Sequence, residues 1–111
     1  MRIAEVESKI GVKAATTIKN VEFEIKRGYC CDLMSEVIGK AESDSIWVTV
    51  HTNMNVLAVA SMIEIKAVII AEGHEAGEEF LKKAEDEEIA VFYAKENSYI
   101  VSGKLYEAGI R

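Results

Sequence analysis

Short apolar runs recur at regular intervals in the second half of the chain. Ile46–Val50, Ala67–Ala71 and Ile89–Phe92 are rich in β-branched residues, which is typical of strands that are buried on both faces. Segments with a helical spacing of apolar residues separate these runs and follow the last of them. A strand–helix repeat of this kind predicts a parallel sheet that is covered by helices and joined by right-handed crossovers.

Three helices are predicted in this half of the chain. Val56–Ile63 is apolar on nearly all sides, so we expect it to be the most buried helix. Glu75–Glu87 is amphipathic, and Ser98–Ala108 ends at a glycine that is a plausible helix terminator. The side chains expected to face the core are Phe80, Leu81 and Ala84 in the second helix, and Ile100, Val101, Leu105 and Ala108 in the third.

The first half of the chain is less regular. Apolar residues share one face of a predicted short helix over residues 1–10. The segment Val21–Ile25 alternates apolar with charged residues, which predicts a half-exposed strand that Gly28 interrupts. Asp32 is then expected to cap a short helix that ends near Lys40. Taken together, the elements predict a three-layer α/β sandwich with a mainly parallel sheet.

Composition narrows the class of protein. The 111 residues are half apolar, which fits one soluble domain spanning 1–111. The net charge of −6, without a basic cluster, predicts no nucleic-acid partner. No apolar run approaches the roughly 20 residues that a membrane span needs, and the first residues do not resemble a secretory signal. The two cysteines, Cys30 and Cys31, are adjacent and form no disulfide framework, which favours the cytoplasm.

Two polar loops follow predicted strands and are the candidate binding sites. In parallel α/β sheets, ligands bind beyond the carboxyl ends of the strands, where helix N-termini offer free N–H groups. A small anion or nucleotide is therefore one interpretation. The alternative is structural: the first loop caps the next helix, and the second is a solvated turn. The candidate ligand-binding residues are His51, Thr52, Asn53 and Asn55 in the first loop, and Glu72, Gly73 and His74 in the second.

Known catalytic patterns are missing from the sequence. It contains no Gly-x-x-x-x-Gly-Lys-Ser/Thr phosphate loop, no Gly-x-Gly-x-x-Gly and no Gly-x-Ser-x-Gly. Two cysteines and two histidines offer ligand atoms for zinc, but their spacing does not match that of a zinc site. We therefore expect no catalytic residue, no bound metal, no cofactor and no enzymatic activity.

Three segments together resemble the DRTGG domain family. Gly28–Val37 has the pattern G-Y-x-x-D-L-x-S-x-V, and Ile46–His51 and Ala67–Gly73 follow at similar distances. The resemblance covers the chain from about residue 20 to its end. The signature that names the family is degenerate here. Of its Thr-Gly-Gly part only Gly73 is present, and His51-Thr52-Asn53 stands in the region of its Asp-Arg part.

The resemblance implies a fold and a function. The fold would be similar to the N-terminal domain of HPr kinase/phosphorylase, without that enzyme's kinase domain. The function would be that of a regulatory or assembly domain, which is often found at dimer interfaces, so a homodimer is expected. Two hypotheses remain open: a dimeric regulator that senses a small anion or nucleotide, and a docking protein without a ligand. The second would serve a larger enzyme or an iron-hydrogenase-type redox complex and would use Tyr29, Trp47, Tyr93 and Tyr99.

Overall fold

The computed structural model describes residues 1–111 and contains five strands and five helices, the first of which ends in a π-helical turn. None of the helices combines the length and the apolar composition that a bilayer crossing requires. In chain order the elements are α1 (Ile3–Val6, continued by the π turn Glu7–Gly11), β1 (Lys13–Ala14), β2 (Arg27–Cys30), α2 (Met34–Lys40), β3 (Ser45–Thr49), α3 (Asn55–Met62), β4 (Ala67–Ile70), α4 (Glu78–Asp86), β5 (Ala90–Tyr93) and α5 (Ser98–Glu107).

The five strands form one sheet in the order β1-β5-β4-β3-β2. Strands β2 to β5 are parallel, and β1 runs antiparallel to β5, with Lys13 opposite Tyr93. Strands β3 and β4 are buried along their whole length. This explains their continuous apolar sequences, since both of their faces are covered. The predicted α/β fold with a mainly parallel sheet is confirmed.

The two faces of the sheet support two separate hydrophobic cores. Residues alternate between the faces along each strand, so that Val48 and Phe92 belong to one core whereas Trp47 and Val91 belong to the other. The first core lies under α1 and α5, and the second lies under α2, α3 and α4. Trp47 is fully buried, and its indole N–H donates to the Cys31 carbonyl over 2.9 Å.

The first half of the chain departs from the prediction. Val21–Ile25 is not a strand, and its only ladder contact is an isolated bridge between Glu24 and Arg2. Apolar and charged residues alternate in this segment because Phe23 and Ile25 pack against the core beside α1. The strand begins later, at Arg27, and contains the glycine that was expected to end it. An edge strand tolerates this residue because only one of its sides is paired.

The predicted helices exist, with differences at their ends. Helix α4 begins at Glu78 instead of Glu75. In α5, Val101 and Leu105 are buried as predicted, but Ile100 and Ala108 are exposed. The sequence places both side chains on the inner face because they are apolar. The face of α5 that is buried against the sheet is narrower than the apolar face of its sequence.

Candidate functional site

The carboxyl ends of the four parallel strands meet at one edge of the sheet, which we call the carboxyl edge. Four loops lie there: residues 31–33 after β2, 50–54 after β3, 71–77 after β4 and 94–97 after β5. Hydrogen bonds divide these loops into two pairs. The loops after β2 and β3 are joined to each other, and so are the loops after β4 and β5.

Asp32 is the centre of the first pair. One of its carboxylate oxygens accepts hydrogen bonds from the Thr49 hydroxyl at 2.8 Å and from the Val50 N–H at 2.9 Å. The ring of His51 reaches back, and its Nε2–H donates to the Asp32 carbonyl over 2.9 Å. The prediction that Asp32 caps α2 is therefore wrong. Its side chain binds the neighbouring strand end instead, and Leu33 occupies the N-cap position without a side-chain bond.

The remaining residues of the first candidate loop lead into α3. The Asn53 side-chain oxygen accepts a hydrogen bond from the Asn55 N–H at 3.0 Å, so it satisfies one of the free donors at the helix start. Thr52 is half-buried and Asn55 is exposed. For Asn53, the hydrogen bond agrees with the structural alternative, in which this loop caps the next helix.

Two consecutive residues with left-handed backbone begin the second candidate loop. Glu72 has φ 66° and Gly73 has φ 73°, and for a residue other than glycine this conformation is strained. Their N–H groups donate to the carbonyls of Glu96 and Ala94 over 2.8 and 2.9 Å. The Glu72 carboxylate also accepts from the Ser98 N–H at 3.2 Å. The left-handed turn therefore fastens the loop after β4 to the loop after β5 and to the start of α5.

Tyr93 holds the other end of the same loop. Its hydroxyl accepts from the Ala76 N–H at 2.9 Å and donates to the Ala76 carbonyl at 3.2 Å. Because both functions of the hydroxyl are used, the half-buried ring is fixed between the loop and the end of β5. The loop after β4 is anchored at both ends, and the residues between Gly73 and Ala76 bridge the gap.

An open cleft of about 780 Å³ lies beneath this bridge, and we call it the β5 cleft. Its size falls within the range of small-molecule sites. One wall is the chain leaving α1 and forming β1, and the opposite wall is the loop after β4. The lining residues are Gly11, Val12, Lys13, Ala14, Ala15, Gly73, His74, Glu75, Tyr93, Ala94, Lys95 and Glu96.

The structure separates the seven candidate residues into two groups. Gly73 and His74 line the β5 cleft, and Glu72 adjoins it with its carboxylate turned to α5. The other four residues, His51, Thr52, Asn53 and Asn55, are not among the lining residues. The cleft also has lining residues that sequence reasoning missed: Lys13, Tyr93 and Lys95. A Tyr-x-Lys pattern directly after a predicted strand was the available signal for two of them.

Shifted pKa values occur at the opposite end of α1 from the cleft. A hydrogen bond from Lys9 and another from the Arg2 N–H lower the pKa of Glu5 from 4.5 to about 2. Hydrogen bonds to Glu22 and Glu5 raise the pKa of Arg2. These are surface ion pairs, in which the Arg2 side chain is exposed and the Glu5 side chain is partly exposed. They stabilise the start of the chain and do not mark a reactive group.

The cysteines and histidines do not converge. The structure contains no group of three or more His, Cys, Asp or Glu side chains that could hold a metal ion. Cys30 is exposed on the edge strand β2, whereas Cys31 is half-buried and packs at the margin of the core under α2.

No protein-family model matches the sequence, and no curated protein matches it either. Solved structures with a similar fold include the crystal structure of the CBS and DRTGG domains of the regulatory region of Clostridium perfringens pyrophosphatase, complexed with activator, diadenosine tetraphosphate. The TM-score is 0.72 at 11% sequence identity. The match covers 94% of this chain and 45% of that chain, so the present chain spans less than half of its relative. The chain therefore has a three-layer α/β fold that is similar to part of a regulatory region.

Proposed function

We propose that the chain is a non-catalytic regulatory domain of the DRTGG type that binds a small anionic ligand or nucleotide at the carboxyl edge of its sheet. The observation that carries the proposal is the β5 cleft. Its volume is about 780 Å³, against about 130 Å³ for a concavity between β2 and α5, and it lies where open parallel sheets bind their ligands. The loop that closes it is held by Glu72 and Tyr93, so the site is formed before a ligand arrives.

The similarity in fold supports the regulatory part of the proposal. The similar structure belongs to a regulatory region that is complexed with a nucleotide activator. The chemistry of the cleft supports the non-catalytic part. Its lining includes one histidine, one tyrosine and no cysteine or serine, and the tyrosine hydroxyl is already bonded twice. A cysteine thiol or a serine or threonine hydroxyl with an adjacent base, the usual arrangement for acyl transfer, is not among the lining residues.

Thermal unfolding in the presence of nucleotides, dinucleotides and inorganic phosphates tests the proposal. A ligand at about 100 times its dissociation constant adds about 2.7 kcal/mol, which raises the melting temperature by several degrees in a domain of this size. His74→Ala should reduce the shift if the ligand enters the β5 cleft. His51→Ala combined with Asn53→Ala should reduce it instead if the ligand binds over β3. A flat response to the whole panel would count against a sensor.

The proposal includes a homodimer. Strand β2 forms one edge of the sheet and has no neighbour on its outer side, and an open edge is a common place for two chains to pair. Sedimentation equilibrium between about 1 and 100 μM protein covers the range of ordinary dimers. A single species with the mass of one chain throughout would refute this part and leave the sensor intact.

A second candidate is a docking protein without a ligand. It is favoured by Tyr99, which is 83% exposed at the start of α5. Of the other aromatic candidates, Trp47 is fully buried and Tyr29 and Tyr93 are half-buried, so none of the three is as exposed as Tyr99. If docking is the function, Tyr99→Ser should abolish binding to the partner and leave the melting temperature unchanged. If the partner binds the variant equally well, Tyr99 is not the contact.

A further inference from the structure

We infer that the β5 cleft takes a nucleoside diphosphate or a longer nucleoside phosphate, with its phosphates held between Lys13 and Lys95 and its base against the ring of Tyr93. The inference rests on the proposed function and deepens it by naming the ligand class and the residues that select it. None of these three residues belongs to the two polar loops that the sequence singles out.

The charges around the cleft favour an anion. Lys13 and Lys95 both line it, and neither forms an ion pair or a side-chain hydrogen bond within the chain. The nearby acids are mostly engaged. Glu96 pairs with Lys104 at 2.6 Å, and Glu7, before the cleft wall, accepts the Ala14 N–H at 2.7 Å. Glu75 is the one lining acid without such a partner.

The unpaired charged side chains that line the cleft are therefore two ammonium groups and one carboxylate, in a protein whose net charge is −6. His74 also lines the cleft, makes no side-chain hydrogen bond, and adds a further donor. Two lysines are more than a single carboxylate ligand requires. They match a ligand with at least two anionic groups, because each ammonium can then find its own phosphate oxygens.

The position of the lysines fits one side of an extended ligand. Lys13 lies on β1 directly opposite Tyr93, and Lys95 follows Tyr93 by two residues. Residues that are opposite or diagonal across an antiparallel pair are about 5–8 Å apart at Cβ. Two lysine side chains at this spacing can contact neighbouring phosphate groups of one nucleotide. A single inorganic phosphate would engage only one of the two lysines.

Tyr93 supplies the aromatic surface. The two hydrogen bonds of its hydroxyl with Ala76 hold the ring in place, so stacking on it costs little side-chain entropy. Stacking of a base on an aromatic ring stabilises nucleotide complexes and tolerates different bases. The walls beside the ring are small: Gly11 and Gly73 both have left-handed backbone and carry no side chain that would narrow the entrance.

Isothermal titration of the full chain with ADP tests the inference. Lys13→Gln and Lys95→Gln should each weaken ADP binding about tenfold, since one charge-assisted contact is lost in each case. The double variant should weaken it about a hundredfold if the two contacts are independent. Lys82→Gln is the matched control, because Lys82 is exposed on α4, forms no ion pair and does not line the cleft.

A second set of measurements separates the parts of the ligand. Glu75→Gln should tighten ADP binding about threefold by removing the free carboxylate, whereas the control Glu78→Gln should not. Tyr93→Leu should weaken adenosine and ADP but leave pyrophosphate unchanged. Tyr93→Phe keeps the aromatic ring but removes the two hydrogen bonds that hold the loop after β4. It therefore measures how much of the lost affinity comes from the loosened loop and how much from the missing stacking surface.

The outcomes distinguish the inference from the proposed function. If ADP binds the Lys13/Lys95 double variant as tightly as the wild type, the inference is wrong and the sensor uses another site, for which the His51 and Asn53 variants are the next test. If inorganic phosphate or pyrophosphate binds the wild type and ADP does not bind more tightly, the ligand class is wrong but the sensor stands. If the wild type binds no compound of the panel, both are overturned.

Discussion

Removal of the Asp32 carboxylate should destabilise the whole sheet edge, although Asp32 itself is exposed. Its carboxylate joins the loop after β2 to the end of β3 through the Thr49 hydroxyl and the Val50 N–H. Thr49 is fully buried. In the variant Asp32→Ala, the buried Thr49 hydroxyl would lose the acceptor of its hydrogen bond. The Val50 N–H would also lose its acceptor, but water can reach this group more readily.

The magnitude follows from this difference between the two donors. A buried donor left without a partner costs about 1–3 kcal/mol, and a solvated one costs much less. We expect the free energy of unfolding to fall by about 2 kcal/mol, which lowers the melting temperature by about 8 °C at the roughly 4 °C per kcal/mol of a domain of this size. Asp86→Ala, at an exposed acid of α4 without a side-chain hydrogen bond, should change stability by less than about 0.5 kcal/mol.

A double-mutant cycle assigns the effect to the pair. Thr49→Val removes the buried hydroxyl and with it the need for an acceptor, so Asp32→Ala should cost about 1 kcal/mol less in the Thr49→Val background. Urea unfolding followed by the fluorescence of Trp47, the only tryptophan, measures all four proteins. A coupling free energy near zero, with unchanged slopes of unfolding, would refute the reasoning even if Asp32→Ala were destabilising.

Three further changes test other parts of the structure. Tyr93→Phe loses both hydrogen bonds to Ala76 and should cost about 1 kcal/mol, with faster amide exchange at Ala76 as the specific readout. Glu88→Gly should raise the free energy of unfolding by about 1 kcal/mol, since Glu88 has φ 56° after α4 and glycine removes that strain; unchanged stability in urea would contradict this. Glu5 has a pKa of about 2 when folded against 4.5 ordinarily, so its contribution to stability is present above pH 4.5 and is lost as the pH falls towards 2. Glu5→Gln should flatten acid unfolding in that interval, and equal pH profiles would refute the assignment.

The second half of the fold could be predicted because its signal is strong and local. The apolar strands β3 and β4 and the amphipathic helix α4 are each specified by residues within the element itself. The first half gave no such signal. Strand β1 has two residues, and β2 contains Gly28 on the exposed edge, so neither has a burial period that the sequence could show. Val21–Ile25 has the period of a strand because it packs against α1, and pairing with another strand plays no part in it.

The sequence predicts a ligand site at the carboxyl edge, and the structure places some of its candidate residues in the cleft found there. The carboxyl edge follows from strand direction alone, and Gly73 and His74 do line the cleft there. Lys13 was beyond prediction, because an unrecognised two-residue strand brings it against Tyr93 from 80 positions away in the chain. The sequence shows which loop follows which strand. It does not show which segment forms the opposite wall of the cleft, because that depends on the topology of the whole sheet.

The first loop lies outside the lining of the cleft for a physical reason. It was chosen because it is rich in polar residues, yet the His51 ring and the Asn53 side chain each have a partner inside the chain. Strand β3 pairs with β2, and the Asp32 carbonyl in the loop after β2 accepts the hydrogen bond of the His51 ring, whereas Asn53 bonds the start of α3. The cleft lies beside β5, next to a strand of only two residues, where Lys95 and His74 find no partner. The number of polar groups in a loop is therefore a weaker guide to a binding site than the number whose hydrogen-bonding capacity the fold leaves free.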